Sequence, residues 1–324
     1  MIASKTPYRI SFIGGGSDYP SWYLKHGGET ISTSINKYVY ITIRELLPFF
    51  NHNTRVVYSK VEEVKNINNI NHPCIKGLLK KYKLKNVEIH YDGDLPARSG
   101  MGSSSSFTVG LSNLLNYYRG IKISRNKLMY DAISFEQKTL RENVGSQDQA
   151  IAAFGGFRNI KYNENGKITV KKMNIKESKL KKFENNLFLT YTNITRYADR
   201  IASHYINDIP NKMKNIERNL KLVQDFKRIL VSNNSIDYVG ELLDETWKLK
   251  KELSNVISNS SINELYNFGI RSGSTGGKLL GAGGGGFILF YVPQKNHKKF
   301  KKNMIKKLIV PFNFEKNGSK IIRI

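Results

Sequence analysis

Between a strand-like run at residues 87–91 and a helix-like run at residues 107–118 the chain reads Asp94-Leu95-Pro96-Ala97-Arg98-Ser99-Gly100-Met101-Gly102-Ser103-Ser104-Ser105-Ser106. A loop of small residues feeding a helix N-terminus can wrap an anion closely: free backbone N–H groups point at the ligand, and the helix dipole favours negative charge. The serine hydroxyls can cap the helix, donate to phosphate or hold a metal. No Gly-Lys-Ser/Thr closes the loop, so any phosphate held here is held without the lysine of a Walker sequence. Taken alone, a Gly/Ser cluster is more often a turn or a linker than a phosphate site, and only its surroundings choose between the readings.

The surroundings are those of an enzyme-sized chain. Its 324 residues suit two domains of ordinary size. No run of eighteen apolar residues is present, which argues against a membrane span, and residues 1–9 lack the apolar centre of a signal peptide. The single cysteine, Cys74, excludes an internal disulfide and fits a reducing, cytoplasmic setting. The net charge of +26 could mark a nucleic-acid or anionic-membrane partner. The lysines are spread along the whole chain, however, beside unusually frequent Asn and Ile. A genomic compositional bias, or substrates that are themselves anions, explains the charge as well. The expectation is a protein that works without nucleic acid or membrane, as a monomer or homodimer.

Residues 7–14 read as a strand entering a glycine turn, and residues 30–45, with Tyr38, Tyr40 and β-branched neighbours, as strands. Residues 73–82 and 125–143 have helical spacing. Residues 155–175 suggest a hairpin turning at Asn163-Glu164-Asn165-Gly166, and residues 187–191 another strand. From 196 to 257 the pattern is almost wholly helical, with breaks near Pro210 and Asn233-Asn234. A glycine-rich loop (273–286), a strand (287–292), a basic helix (294–308) and two short strands follow. A polar, lysine-rich stretch near Lys182 divides the chain into domains 1–182 and 183–324. Strands and helices mix without steady βαβ alternation, which argues for an α+β fold.

Two further glycine runs stand out. In Phe12-Ile13-Gly14-Gly15-Gly16-Ser17-Asp18-Tyr19 the backbone can approach a ligand and Asp18 can accept hydrogen bonds from hydroxyls; a tight turn accounts for the run equally well. Gly281-Ala282-Gly283-Gly284-Gly285-Gly286 contains a literal G-x-G-x-x-G. A dinucleotide fingerprint should follow a strand and open a helix, whereas here a strand follows the glycines. A protein kinase is excluded because there is no His-Arg-Asp catalytic loop. Glu136 and Asp148, each a solvated acid by default, stand about a dozen residues apart and could together serve a metal and a hydroxyl. Arg9, just ahead of the first glycine run, is an ordinary surface arginine on local grounds.

In order and spacing these elements resemble the GHMP kinases (galactokinase, homoserine kinase, mevalonate kinase, phosphomevalonate kinase). One signature of that family is similar to residues 7–18. A second, P-x-x-x-G-L-G-S-S, matches Pro96 to Ser104 with Met101 in the leucine place, and a third matches Gly281 to Gly286. The resemblance spans nearly the whole chain. Residues 11–44, with Gly145-Ser146-Gln147-Asp148-Gln149 and Gly155-Gly156-Phe157, look most like the D-glycero-D-manno-heptose 7-phosphate kinases within the family. Galactokinases carry Gly-Glu-His where this chain has Gly14-Gly15-Gly16, so a carboxylate that would contact sugar hydroxyls is missing at Gly15 and galactose is disfavoured.

The resemblance implies ATP-dependent phosphorylation of the anomeric C1 hydroxyl of a sugar phosphate. Pro96, Ser99, Gly100, Met101, Gly102, Ser103, Ser104 and Ser105 would form the ATP site. Ser104 and Glu136 would hold Mg²⁺, Asp148 would accept the hydroxyl proton, and Arg9 would pair with it and stabilise charge on the transferring phosphoryl group. Gly14, Gly15, Gly16, Ser17, Asp18, Gly283 and Gly284 would meet the acceptor, with Glu29 and Thr33 near them. Arg98, Arg196, Arg271 and Lys278 are candidates for a substrate phosphate. The implied fold pairs a ribosomal-protein-S5-like N-terminal domain with a ferredoxin-like C-terminal one carrying extra helices, the substrates meeting between them. A fucokinase-like or mevalonate-pathway kinase and a catalytically silent sugar sensor are the alternatives.

Overall fold

A computed structural model describes residues 1–194 and 212–323. Two long strands organise the first half. β1 (Ile2–Ile13) pairs antiparallel with β2 (Gly28–Glu45). Their register jumps from Pro7 opposite Tyr38 to Arg9 opposite Ser34, so residues 35–37 bulge out. The bulged backbone finds partners on the returning C-terminus: Asn36 N–H donates to Asn313 O at 2.9 Å, and β12 (Phe314–Glu315) pairs with β2 at Ile35 and Ser34. A bulge re-aims the side chains that follow it, and the one that follows here is Arg9.

The bulge also divides the partners of β2. Residues 28–33 pair with β6 (Phe157–Tyr162), which forms a hairpin with β7 (Ile168–Lys172); residues 39–45 pair with β5 (Val87–Gly93). β3 (Thr54–Val57) and β4 (Val61–Val64) extend the sheet beyond β5, and β13 (Lys320–Arg323) closes its other edge against β1. Helices α2 (Pro73–Tyr82), α3 (Ser103–Tyr118), α4 (Arg125–Ser134) and α5 (Gln147–Phe154) cover this sheet, α3 lying on β1 and β2. A short helix, α1 (Pro20–His26), links β1 to β2.

The second sheet runs β11-β8-β10-β9, all antiparallel: Ile309–Val310, Leu187–Tyr191, Phe287–Tyr291 and Gly276–Leu279. The helices Val239–Lys251 and Ser260–Arg271 pack on it through Trp247 and Tyr266. Two sheets, each with its own helices, make the expected two-domain α+β fold.

One aromatic cluster crosses between them. Phe12, at the end of β1, is surrounded by the rings of Phe157, Phe183, Phe226 and Phe314 at centroid distances of 5.2 to 6.2 Å. Phe226 comes from the helix Met213–Val231 and Phe183 from α6 (Glu177–Asn185). Each such ring contributes about 1.5–3 kcal/mol by leaving water, so the base of the first glycine run is held from both sides.

Local readings fail where tertiary contacts intervene. The helix expected over 125–143 ends at Ser134, passes through one π-helical turn (Phe135–Thr139) and gives way to a loop before α5. β9 lies inside the stretch read as a glycine loop, because Gly277 packs directly against the backbone of Leu289. The basic helix expected over 294–308 spans His297–Asn303 after a single tight turn. Residues 314–323 return to the first sheet, a pairing that a linear split at 182 does not contain.

Candidate active site

The serine-rich loop enters α3 through two glycines in the left-handed region, Gly100 (φ +79°) and Gly102 (φ +75°). Gly102 is the N-cap of α3 and supplies no capping side chain, so the first-turn N–H groups of Ser103–Ser105 are left to a ligand. A Cβ on Gly102 would lie 3.1 Å from Arg9 Cγ and 3.3 Å from Asp148 Oδ2. The four serines divide by direction. Ser106 donates to Pro7 O (2.9 Å) and Ser105 to Glu136 Oε2 (2.8 Å), both buried. Ser103 Oγ accepts from Arg98 N–H at 3.3 Å, and Ser104 is exposed. Gly100, Gly102, Ser103, Ser104 and Ser105 line a cleft between the domains. Ser99 and Met101 are buried beneath the loop, and Pro96 is exposed outside the cleft lining.

Across from the helix N-terminus stands an arginine–aspartate pair. Arg9 Nε and Nη2 donate to Asp148 Oδ1 and Oδ2, both at 2.7 Å, and Nη1 donates to Gly100 O at 2.6 Å. Arg9 N–H itself donates to Met101 O at 3.0 Å. The guanidinium fork matches a carboxylate in two parallel bonds, so one arginine locks the aspartate and the serine-rich loop together. Both residues line the cleft; Arg9 is 5% exposed and the Asp148 side chain 25% exposed, so the carboxylate is the more open of the two.

Glu136 sits in the π-helical turn and is fully buried. Its Oε2 accepts from Ser105 and Gln149, and burial pushes its carboxyl up to about 7. Its Oε1 has no hydrogen-bond partner among the described residues. The hydroxyl that meets Glu136 is that of Ser105, while Ser104, expected to hold Mg²⁺ with Glu136, is exposed on the cleft wall. Among the described residues no group of three or more His, Cys, Asp or Glu is arranged to hold a metal. A serine hydroxyl beside a carboxylate with an orphaned oxygen is still the donor chemistry that a hard cation takes, and the pair fits Mg²⁺ in kind.

In the first glycine run, Gly16 N–H donates to Asp18 Oδ1 (3.1 Å), and Ser146 N–H to Asp18 O (2.9 Å). Gly145 lies so close to the Asp18 carboxylate that any side chain there would overlap it. Gly15, Gly16 and Asp18 line the cleft. Gly14 and Ser17 do not: Ser17 Oγ donates to Gly14 O at 2.7 Å and closes the turn. Glu29 and Thr33 are buried away from the cleft, Glu29 in hydrogen bonds from Asn159, Gln224 and Lys227.

Burial, then the nearby charge of Asp148, raises the Asp18 carboxyl to about 6. An unfolded aspartate ionises near 3.9, so between roughly pH 4 and 6 the folded chain holds the extra proton and stability falls as pH rises. Above pH 6 the penalty is on the order of 3 kcal/mol. Asp18→Asn is expected to melt a few degrees higher than the wild type at pH 7.5, with the gap closing toward pH 4 and activity lost. Melting curves at both pH values check this; a gap independent of pH rules out ionisation as its cause.

The third glycine run contributes Gly281 and Ala282 to the cleft. Gly283 and Gly284 are instead pinned to Ile257: a Cβ on Gly283 would lie 2.8 Å from Ile257 Cα, and Gly284 N–H donates to Ile257 O at 2.7 Å. Lys278 and Arg98 line the cleft, Arg271 is exposed outside it, and Arg196 lies outside the described residues. Asn219 went unnoticed in the sequence. Its carboxamide spans the first glycine run, accepting from Gly14 N–H (3.4 Å) and donating to Gly15 O (3.0 Å). A buried asparagine on an otherwise apolar helix face was the only local sign of it.

A cleft of this kind is suited to moving a phosphoryl group, since it offers N–H donors for phosphates on one wall and a fixed carboxylate for a hydroxyl on the other. The chain is similar to ATP-dependent phosphotransferases with an alcohol group as acceptor. Residues 68–156 match the GHMP kinases N terminal domain, and the GHMP kinase resemblance extends along the whole chain. The chain is 28% identical over 344 residues to D-glycero-alpha-D-manno-heptose 7-phosphate kinase of Campylobacter jejuni, covering 100% of this chain and 99% of that one. It is 23% identical over 312 residues to the bifunctional fucokinase/GDP-fucose pyrophosphorylase of Arabidopsis thaliana, covering 87% of this chain and 29% of the other. The crystal structure of a D-glycero-D-manno-heptose 1-phosphate kinase from Bacteroides thetaiotaomicron superposes with a TM-score of 0.81 at 23% identity, over 100% of this chain and 99% of that one. No described helix is long and apolar enough to cross a membrane.

Proposed function

We propose that this chain transfers the γ-phosphoryl group of ATP to the anomeric C1 hydroxyl of D-glycero-D-manno-heptose 7-phosphate. The product, a 1,7-bisphosphate, would feed nucleotide-activated heptose and surface polysaccharide synthesis. The observation that carries this reading is the end-to-end similarity to the Campylobacter jejuni heptose 7-phosphate kinase. The cleft agrees with a phosphorylated acceptor. Gly15 brings no carboxylate, and Arg98 and Lys278 bring positive charge to the same cavity.

In this reading the N-terminus of α3 binds the ATP phosphates through its uncapped N–H groups. Asp148, held on both oxygens by Arg9, keeps lone pairs for the C1 hydroxyl, orients it and takes its proton as the new O–P bond forms. The anomeric hydroxyl is more acidic than an ordinary alcohol, so the demand on this base is modest. Asp18, fixed by Gly16 N–H, accepts hydrogen bonds from neighbouring sugar hydroxyls. When bound, Mg²⁺ supplies charge neutralisation at the phosphate oxygens, and Ser104 and Glu136, with Ser105 beside the carboxylate, would hold it.

The test is turnover with ATP and Mg²⁺ across heptose 7-phosphate, heptose 1-phosphate, fucose, galactose and mevalonate, read by ³¹P NMR. A new anomeric phosphate signal is expected with heptose 7-phosphate alone. Turnover of mevalonate, or of fucose in preference to the heptose, overturns the proposal.

A further inference from the structure

Lys278 is carried by β9, in register with Leu289 of β10, and reaches across the cleft to the N-terminal domain, where its Nζ donates to Phe12 O at 2.8 Å. Only 4% of the residue is exposed, yet it lines the cleft beside Arg9 and Asp18. An ammonium group has three N–H donors. Among the described residues Lys278 makes this single hydrogen bond and no ion pair with a carboxylate. A charge buried with so little compensation is costly. That cost falls away if an anion enters the cleft and takes up the remaining donors. The acceptor-side and phosphate-side elements converge here: Arg9 on β1, Asp18 on the first glycine run, Asp148 on α5, and Lys250 on the helix Val239–Lys251.

We propose that Lys278 is a substrate-contacting residue whose ammonium donates to a phosphate-type anionic oxygen bound in the cleft, supplied either by the terminal phosphate of the nucleotide or by the acceptor. Where the nucleotide is the source, the lysine missing from the serine-rich loop is provided from the opposite domain. This rests on the phosphotransferase reading of the cleft and not on the identity of the sugar. Electrostatics support it: burial, reinforced by Arg9 and opposed by Asp18, brings the Lys278 pKa down to about 7. Near neutrality the side chain is poised between forms, and an anion would hold it charged.

The experiment is a pH titration of the whole chain labelled with ¹³Cε-lysine, the Lys278 signal being assigned by its loss in Lys278→Arg. It is run without ligand, with the non-hydrolysable nucleotide AMP-PNP, with heptose 7-phosphate and with inorganic phosphate. Without ligand the signal is expected to titrate near neutrality. At least one ligand is expected to raise the midpoint by a full unit, the nucleotide and acceptor arms separating the two sources. Lys278→Met, which keeps the volume and drops the charge, is expected to weaken that same ligand by about tenfold or more, the scale of a charged hydrogen bond. It should leave the other ligand within about twofold. A midpoint unmoved by all three ligands overturns the proposal and leaves Lys278 as a strut for Phe12. If the wild type fails to bind heptose 7-phosphate, the sugar assignment falls, and the nucleotide and phosphate arms still decide the role of Lys278.

Discussion

Asp148→Asn is expected to lower kcat by about 10²–10⁴-fold, the range for losing a positioned general base, with nucleotide affinity close to wild type. The substitution keeps size and shape but leaves an amide that is not basic at neutral pH. It also places an NH₂ group where Arg9 now meets two oxygens at 2.7 Å. One of the two bonds must be lost, because Arg9 has only donors. The guanidinium, 5% exposed, then remains buried against a neutral partner. A drop of a few degrees in Tm is expected alongside the kinetic loss, softened because Asp148 is partly open to solvent.

A companion variant separates the roles within the pair. Arg9→Lys retains a cation but cannot fork, so it should lower kcat less than Asp148→Asn and loosen the tie to Gly100 O. Steady-state kinetics with circular dichroism and calorimetric melting decide the matter. If folded Asp148→Asn keeps kcat within tenfold of wild type, Asp148 is not the proton acceptor.

Gly286→Ala is expected to lower Tm by about 5–15 °C and to raise the KM for ATP. Gly286 sits at φ +96°, and a Cβ there would overlap Ser99 O and lie 2.6 Å from Ser99 C. The obstacle is the backbone of the serine-rich loop, which cannot rotate aside as a side chain would. Gly286 is also fixed by its own hydrogen bonds, N–H to Ile194 O and O from Thr192 N–H, each at 2.8 Å. The left-handed conformation costs a β-carbon about 1–2 kcal/mol and the collision about 1–3 kcal/mol more. At roughly 2–4 °C per kcal/mol for larger domains, the sum of about 2–5 kcal/mol corresponds to about 4–20 °C, a span that encloses the stated range.

Gly120→Ala is the control. Its φ is +73° but its Cβ would meet nothing within 4 Å. That variant should show the backbone penalty alone, a shift of a few degrees with KM for ATP unchanged. If Gly286→Ala melts like Gly120→Ala and binds ATP normally, the contact between the two glycine-rich segments does not hold the phosphate loop in place.

Much of the local structure was legible in the sequence, because it depends on neighbours along the chain. The helical period at 73–82 and the β-branched and aromatic run at 187–191 reappear as α2 and β8 with the same ends. The Asn163-Glu164-Asn165-Gly166 turn joins β6 to β7. The glycine runs were also visible, and so were Arg9, Asp18 and Asp148, because motif order is a property of the chain itself.

Which serine hydrogen-bonds to Glu136 was not legible. Adjacent residues on a helix diverge by about 100°, so only the packing of α3 against the turn that carries Glu136 decides which hydroxyl meets the carboxylate. The helix expected to reach residue 143 could not be seen to stop at Ser134, since the chain must approach Asp18 at Gly145. Lys278 and Asn219 act on residues 266 and 205 positions earlier, beyond the reach of any periodicity.

The sequence by itself determined the two-domain α+β class, the serine-rich loop at a helix N-terminus and the acidic and basic residues available to it. Those follow from backbone preference and residue type, which act over a few positions. Only the tertiary structure decided which serine faces Glu136, that one arginine clamps both Asp148 and the serine-rich loop, and that a lysine from the far domain enters the cleft. Hydrogen bonds and charge interactions act over a few ångströms of space, and the packing of two sheets around Phe12 sets those distances.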